Sequence, residues 1–196
     1  IYFVISSLKS SNKYNAKTLE YVENFLKGFD AKKLEKLAEV PGFDKVVEDM
    51  ATYGKKFAGG KFQLEYAEKL LDQGKVLKFE VSNLSNNLTR IYDIQIEFFE
   101  EGKKFIKNLE LKNWGKFYPE TIKNQFLKDL QKMNNLGDIQ WIFRKTANIA
   151  DMTTLKNGVL QALKKADGKP IEELERLFKN EDIVKKLKNI FGEGIK

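Results

Sequence analysis

The chain has 196 residues with a net charge of +7, 42% hydrophobic residues and 12% aromatic residues, a composition that makes a packed core and not a disordered segment. It contains no cysteine and no histidine. Disulfides, thiolate nucleophiles, cysteine-rich zinc sites, Ser-His-Asp triads and histidine-ligated metals are therefore excluded, and any chemistry falls to Asp, Glu, Lys, Tyr, Ser, Thr or an oxygen-ligated cation.

The basic balance suits an anionic partner such as nucleic acid or a membrane surface; a lysine-rich solvated surface is the plainer reading. The sequence opens on Ile1 and not on Met, so it reads as a fragment of a longer chain. IYFVISSL lacks a basic leader and a small-residue cleavage site and does not read as a signal peptide. No apolar run approaches the ~18 residues of a membrane-crossing helix, so no stable membrane anchoring is expected.

Residues 1–14 read as an extended or frayed lead-in. Residues 16–28 place Leu19, Val22, Phe25 and Leu26 on one helical face. Asp30 is the expected N-cap of a second helix with Leu34 and Leu37 inward. Pro41-Gly42 marks a turn, and a third helix is expected over Asp44 to Phe57. Gly59-Gly60 reads as a hinge, so the expected division is a helical linker region over 1–58 and a second domain over 61–196. Lys61 to Gln73 is an expected helix, Val76 to Val81 a strand, and SNLSNNLT (82–89) a polar loop.

Arg90 to Trp114 reads as a β-hairpin. Centring its turn on Glu101-Gly102 makes each residue face the one whose number sums with it to 203, so Asp93 faces Glu110, Gln95 faces Asn108 and Ile94 faces Leu109. Asp93, Glu110 and Lys112 then share one face, and Tyr92, Ile94 and Phe98 lie on the other. Opposed carboxylates repel, and a divalent cation is one thing that compensates them. A plain solvated face carrying the same residues is the alternative.

Pro119 suits the first position of a helix running to about Asn134, with Ile122, Phe126, Leu127 and Leu130 inward. Ile139 to Phe143 follows as a strand. A helix from Thr153 and two short amphipathic helices complete a tail over 150–196. The order gives an α/β (α+β) chain: a mixed-sheet core over 61–145, an N-terminal helical region and C-terminal helices.

On Asp93 and Glu110-Leu111-Lys112 the sequence resembles the PD-(D/E)xK nuclease superfamily. That resemblance implies a restriction-endonuclease-like core in which Asp93, Glu110 and the Leu111 carbonyl hold a divalent metal, Mg²⁺ first, with Mn²⁺ or Zn²⁺ as substitutes. Lys112 would position the nucleophile. It also implies an acidic residue on the preceding helix, for which Glu65 fits best and Glu68 is the alternative. The proline that names the superfamily is absent; Tyr92 stands there. Gln125 resembles a helix glutamine used near substrate by some members, and Asn113 and Trp114 are candidate contacts to a phosphate or base.

The layout also resembles the C-terminal toxin domains of bacterial contact-dependent growth inhibition. That implies an exported parent protein, cleavage of DNA or tRNA in the target-cell cytoplasm, and a cognate immunity protein. Lys164, Lys165, Lys185 and Lys186 would then track the phosphate backbone. The rival readings are a non-catalytic nucleic-acid or protein binding module, and a helical interaction or translocation domain driven by 1–58 and 150–196.

Overall fold

A computed structural model describes residues 2–52, 54–85, 88–114, 118–132, 139–144, 161, 163–164 and 191–193. The chain divides into two units, the first comprising 1–81 and 92–113 and the second 82–91 and 114–196. It is an α+β protein with a run of helices at its N-terminal end.

The first unit opens with α1 (Tyr2–Ser10), α2 (Ala16–Leu26), α3 (Ala31–Ala38), α4 (Phe43–Thr52) and α5 (Gly54–Leu70). Asn15 caps α2 by accepting from the Lys17 N–H, and Asp30 caps α3 by accepting from the Lys33 N–H at 3.0 Å. Leu19, Val22, Leu26, Leu34 and Leu37 all face inward, as the helical spacing requires. The expected extended or frayed lead-in is instead a helix, α1. Ile5 and Leu8, one turn apart, join the same core and supply the packing that a nine-residue helix lacks by itself.

Gly59 and Gly60 make no hinge; they lie inside α5. A Cβ on Gly60 would sit 2.3 Å from Met50 Cγ, so the missing side chain is what lets α4 and α5 approach. Gly60→Ala is expected to destabilise the fold by about 1–3 kcal/mol through overpacking, measured by urea unfolding, whereas Gly59→Ala, with nothing within 4 Å, is expected to be neutral or stabilising.

The strands of this unit follow in the order β1, β2, β3: β1 (Lys75–Ser85), β2 (Leu88–Glu100) and β3 (Lys103–Lys112). The ends of β1 and β2 over 82–91 belong to the second unit. Residues 82–85 and 88–89, expected in a polar loop, are thus strand. Polar composition misled there, because Leu84, Leu88 and Thr89 sit among the asparagines and serines.

Strands β2 and β3 pair antiparallel from Ile94 with Leu109 to Glu100 with Lys103, every pair summing to 203. The two-residue turn puts Glu101 at φ 50° and Gly102 at φ 76°, the primed geometry whose twist suits a hairpin. Ile94, Ile96 and Leu109 join Val76, Phe79 and the helical residues in one apolar core.

The second unit holds α6 (Pro119–Lys132), β4 (Ile139–Phe143) and β5 (Phe191–Glu193), with β4 and β5 parallel. Trp141 is fully buried, packs edge-on to Phe126, and donates its indole N–H to the buried Asp129 at 2.8 Å. The short strand β5 was not foreseen. Most of the expected tail helices, with Lys165, Lys185 and Lys186, lie outside the described residues; Lys164 is described and exposed.

Candidate functional site

The hairpin end farthest from its turn carries the three residues the alternation brings together. Gln95 and Asn108 join by their side-chain amides at 3.0 Å; the paired register ends at Ile94 with Leu109, and Asp93 and Glu110 are the next residues on the two strands. The Asp93 carboxylate accepts the Leu111 N–H at 2.6 Å. Lys112 Nζ donates to Glu110 Oε1, an ion pair along one face of β3. Glu110 is 5% exposed and Lys112 8%, so this end of the face is not a solvated charged surface. Toward the turn the same face opens to water, ending at the exposed Phe99.

Burying charge here has an electrostatic consequence. Removal of the Asp93 carboxylate from water, reinforced by the neighbouring Glu110 charge, pushes its pKa up to about 8; the Leu111 N–H and Lys112 act in the opposite direction.

Two further residues enter from α5 and β1. Gln63 is 5% exposed, and its Nε2 donates to the Asp93 carbonyl at 2.6 Å and to Glu80 Oε1 at 3.1 Å. Glu80 lies in β1 with φ 50°, a left-handed backbone that a non-glycine residue adopts only at a cost. Burial raises the Glu80 carboxyl, the Gln63 hydrogen bond lowers it, and the charges of Asp49 and Glu110 add to the rise. Glu80, Asp93 and Glu110 thus act on one another electrostatically, with the Lys112 ammonium beside them.

The helix carboxylates expected from the sequence make contacts along α5 and to α3. Glu65 pairs with Lys61 at 3.6 Å one turn back on α5, and Glu68 accepts the Asp30 N–H at 3.3 Å, where α3 starts. Gln63, Ala67 and Leu70, at helical spacing and all buried, are the inward face of α5, and Gln63 is its polar member. Phe62 and Leu64 on either side of Gln63 are buried too, so helical spacing alone does not single it out, and nothing local points to Glu80. Among the described residues, no group of three or more Asp or Glu side chains is gathered closely enough to hold a metal ion as it stands.

Asn113 donates its side-chain amide to the Ala58 carbonyl at 2.9 Å, tying the end of β3 to α5. Trp114 and Gln125 belong to the second unit. Trp114 packs edge-on against Tyr118 and Phe143, an arrangement of a packing residue. Gln125, partly buried on α6, holds an Oε1 shielded from solvent without a hydrogen-bond partner. No protein-family model, curated protein or solved structure matches the chain.

Proposed function

We propose that the chain is a metal-dependent nuclease that hydrolyses phosphodiester bonds of DNA or tRNA. The observation that carries this reading is the grouping of Asp93 with the buried Glu110–Lys112 pair at one end of the hairpin. Repelling carboxylates withdrawn from water are unfavourable for folding alone and favourable for holding a cation. The element order α5-β1-β2-β3-α6-β4, with Asp93 on β2 and Glu110-Leu111-Lys112 closing β3, is also the order that the PD-(D/E)xK resemblance implies.

The donor set is oxygen only, which suits Mg²⁺ or Mn²⁺. Mg²⁺ keeps several waters and takes one or two protein carboxylates, so a three-carboxylate cage is not required. Asp93 and Glu110, with the Leu111 carbonyl, would hold the ion, and Glu80, whose charge acts on Asp93, would be an additional carboxylate near it besides the Glu65 expected from the sequence. Such an ion, when bound, lowers the pKa of water and neutralises charge on the phosphate. Lys112 supplies a fixed ammonium to orient the nucleophile and meet the developing negative charge. Burial on the rest of the hairpin end limits competing water. The same reading includes delivery as part of a larger exported protein, action in a target cell, and a neutralising immunity protein in the producing cell.

Purified protein incubated with plasmid DNA and with bulk tRNA, in Mg²⁺ or Mn²⁺, is expected to cut one of them, and chelation to stop the cutting. Cleavage of neither, together with equal harmlessness of wild type and Lys112→Ala in cells, defeats the reading. A second reading is a non-catalytic module whose polar face contacts an anionic partner, which the net charge of +7 suits. That module predicts no Mn²⁺-induced rise in melting temperature that disappears in Asp93→Ala.

A further inference from the structure

The nuclease reading assigns Asp93, Glu110 and Lys112 but leaves the buried polar group bonded to Asp93 without a role. Gln63 is the polar residue on the inward face of α5, and a buried amide there must be satisfied. Both of its neighbours, the Asp93 carbonyl and the Glu80 carboxylate, are acceptors. Only the NH₂ end of the amide can serve both, so the side-chain orientation is fixed by chemistry. Its two hydrogens are thereby shared between β1 and β2.

We propose that Gln63 is a positioning residue of this site, which pins the Asp93 backbone and holds the Glu80 carboxylate beside it. The proposal rests on the nuclease reading and deepens it. The bond to the Asp93 carbonyl is short and involves the main chain of the residue whose carboxylate reaches the Leu111 N–H. Displacing that main chain displaces the carboxylate relative to Glu110. The second bond holds a side chain whose own backbone is in the left-handed region, a conformation that persists where surrounding contacts impose it. Helix α5 therefore sets the geometry of a site whose Asp93, Glu110 and Lys112 lie on the hairpin and whose Glu80 lies on β1.

The test compares full-length wild type, Gln63→Leu, and the exchange Gln63→Glu/Glu80→Gln. Each is assayed on plasmid DNA and tRNA across a Mn²⁺ titration, with a thermal melt of each. Gln63→Leu keeps the side-chain volume and removes both donors. It is expected to lower kcat about 10- to 100-fold and raise the half-saturating Mn²⁺ concentration, with substrate KM within about twofold. The exchange restores a bond between positions 63 and 80 with donor and acceptor reversed, but leaves the Asp93 carbonyl without its donor. Its melting temperature is expected to return toward wild type while kcat stays low. It carries the test if Gln63→Leu does not fold.

An exchange variant as active as wild type, or a folded Gln63→Leu with wild-type kcat and Mn²⁺ dependence, overturns the role. Wild type that cuts neither nucleic acid overturns the nuclease reading itself, and this role with it. The two failures are therefore distinct, since one requires an active wild type and the other an inactive one.

Discussion

Lys112→Ala is expected to slow cleavage about 10²–10³-fold, the usual loss when a fixed charge or donor is removed from a reacting phosphate or carbonyl. It also leaves Glu110, 5% exposed, without the ammonium that bonds it, next to the Asp93 carboxylate. Removing one partner of a buried pair costs about 3–5 kcal/mol, so a fall in activity alone would be ambiguous. A divalent cation separates the two effects. If it binds between these carboxylates it replaces the missing positive charge, and Mn²⁺ should raise the melting temperature of Lys112→Ala more than that of wild type. Glu110→Gln, with one ligand oxygen replaced by an amide, should show little rise. Equal Mn²⁺ shifts in wild type, Lys112→Ala and Glu110→Gln would place the cation elsewhere and sink the assignment.

Asp93→Asn is expected to abolish cleavage and yet stabilise the protein at high pH. An unfolded aspartate titrates near 3.9, whereas burial and the Glu110 charge raise the folded Asp93. Between those values the native state holds one proton more than the unfolded state. Stability is then complete below about pH 4 and declines as pH rises through the folded pKa near 8. Asn carries no charge to desolvate, so the variant should lack this decline and exceed wild type by about 2 kcal/mol or more at pH 8.5. Urea unfolding at pH 5 and pH 8.5 measures the difference of slopes; identical slopes in the two proteins would refute it. A cation bound at Asp93 must displace the same proton. Mn²⁺ affinity and cleavage are therefore expected to climb toward pH 8, in the direction opposite to stability.

Much of the hairpin was legible because its information is local. A two-residue turn at Glu101-Gly102, flanked by alternating apolar residues, admits one register without exposing Ile94, Ile96 and Leu109. Once that register holds, Asp93, Glu110 and Lys112 share a face by the pleat alone. The caps at Asn15 and Asp30 and the start of α6 at Pro119 were legible for the same reason, since each depends on a few neighbouring residues.

The helix side of the site was not legible. A pattern match favours Glu65 because it stands before Tyr66, Ala67 and a Leu pair, but which α5 residue reaches β2 depends on how the helix is rotated against the strands. That rotation is set by burying Phe62, Leu64, Ala67 and Leu70, and it delivers Gln63. The glycine pair was misread in the same way: whether Gly59-Gly60 breaks a helix or lets one pack depends on Met50, ten residues earlier.

By itself, then, the sequence determined the hairpin, its register and the common face of Asp93, Glu110 and Lys112, because a turn and a period of two are short-range constraints. Only the tertiary structure decided that this face is buried at one end, that Glu80 lies beside it on a left-handed backbone, and that Gln63 of α5 bonds both Glu80 and Asp93. Burial, helix rotation and the approach of α5 to β1 and β2 arise from packing among residues distant in the chain, and no local pattern encodes them.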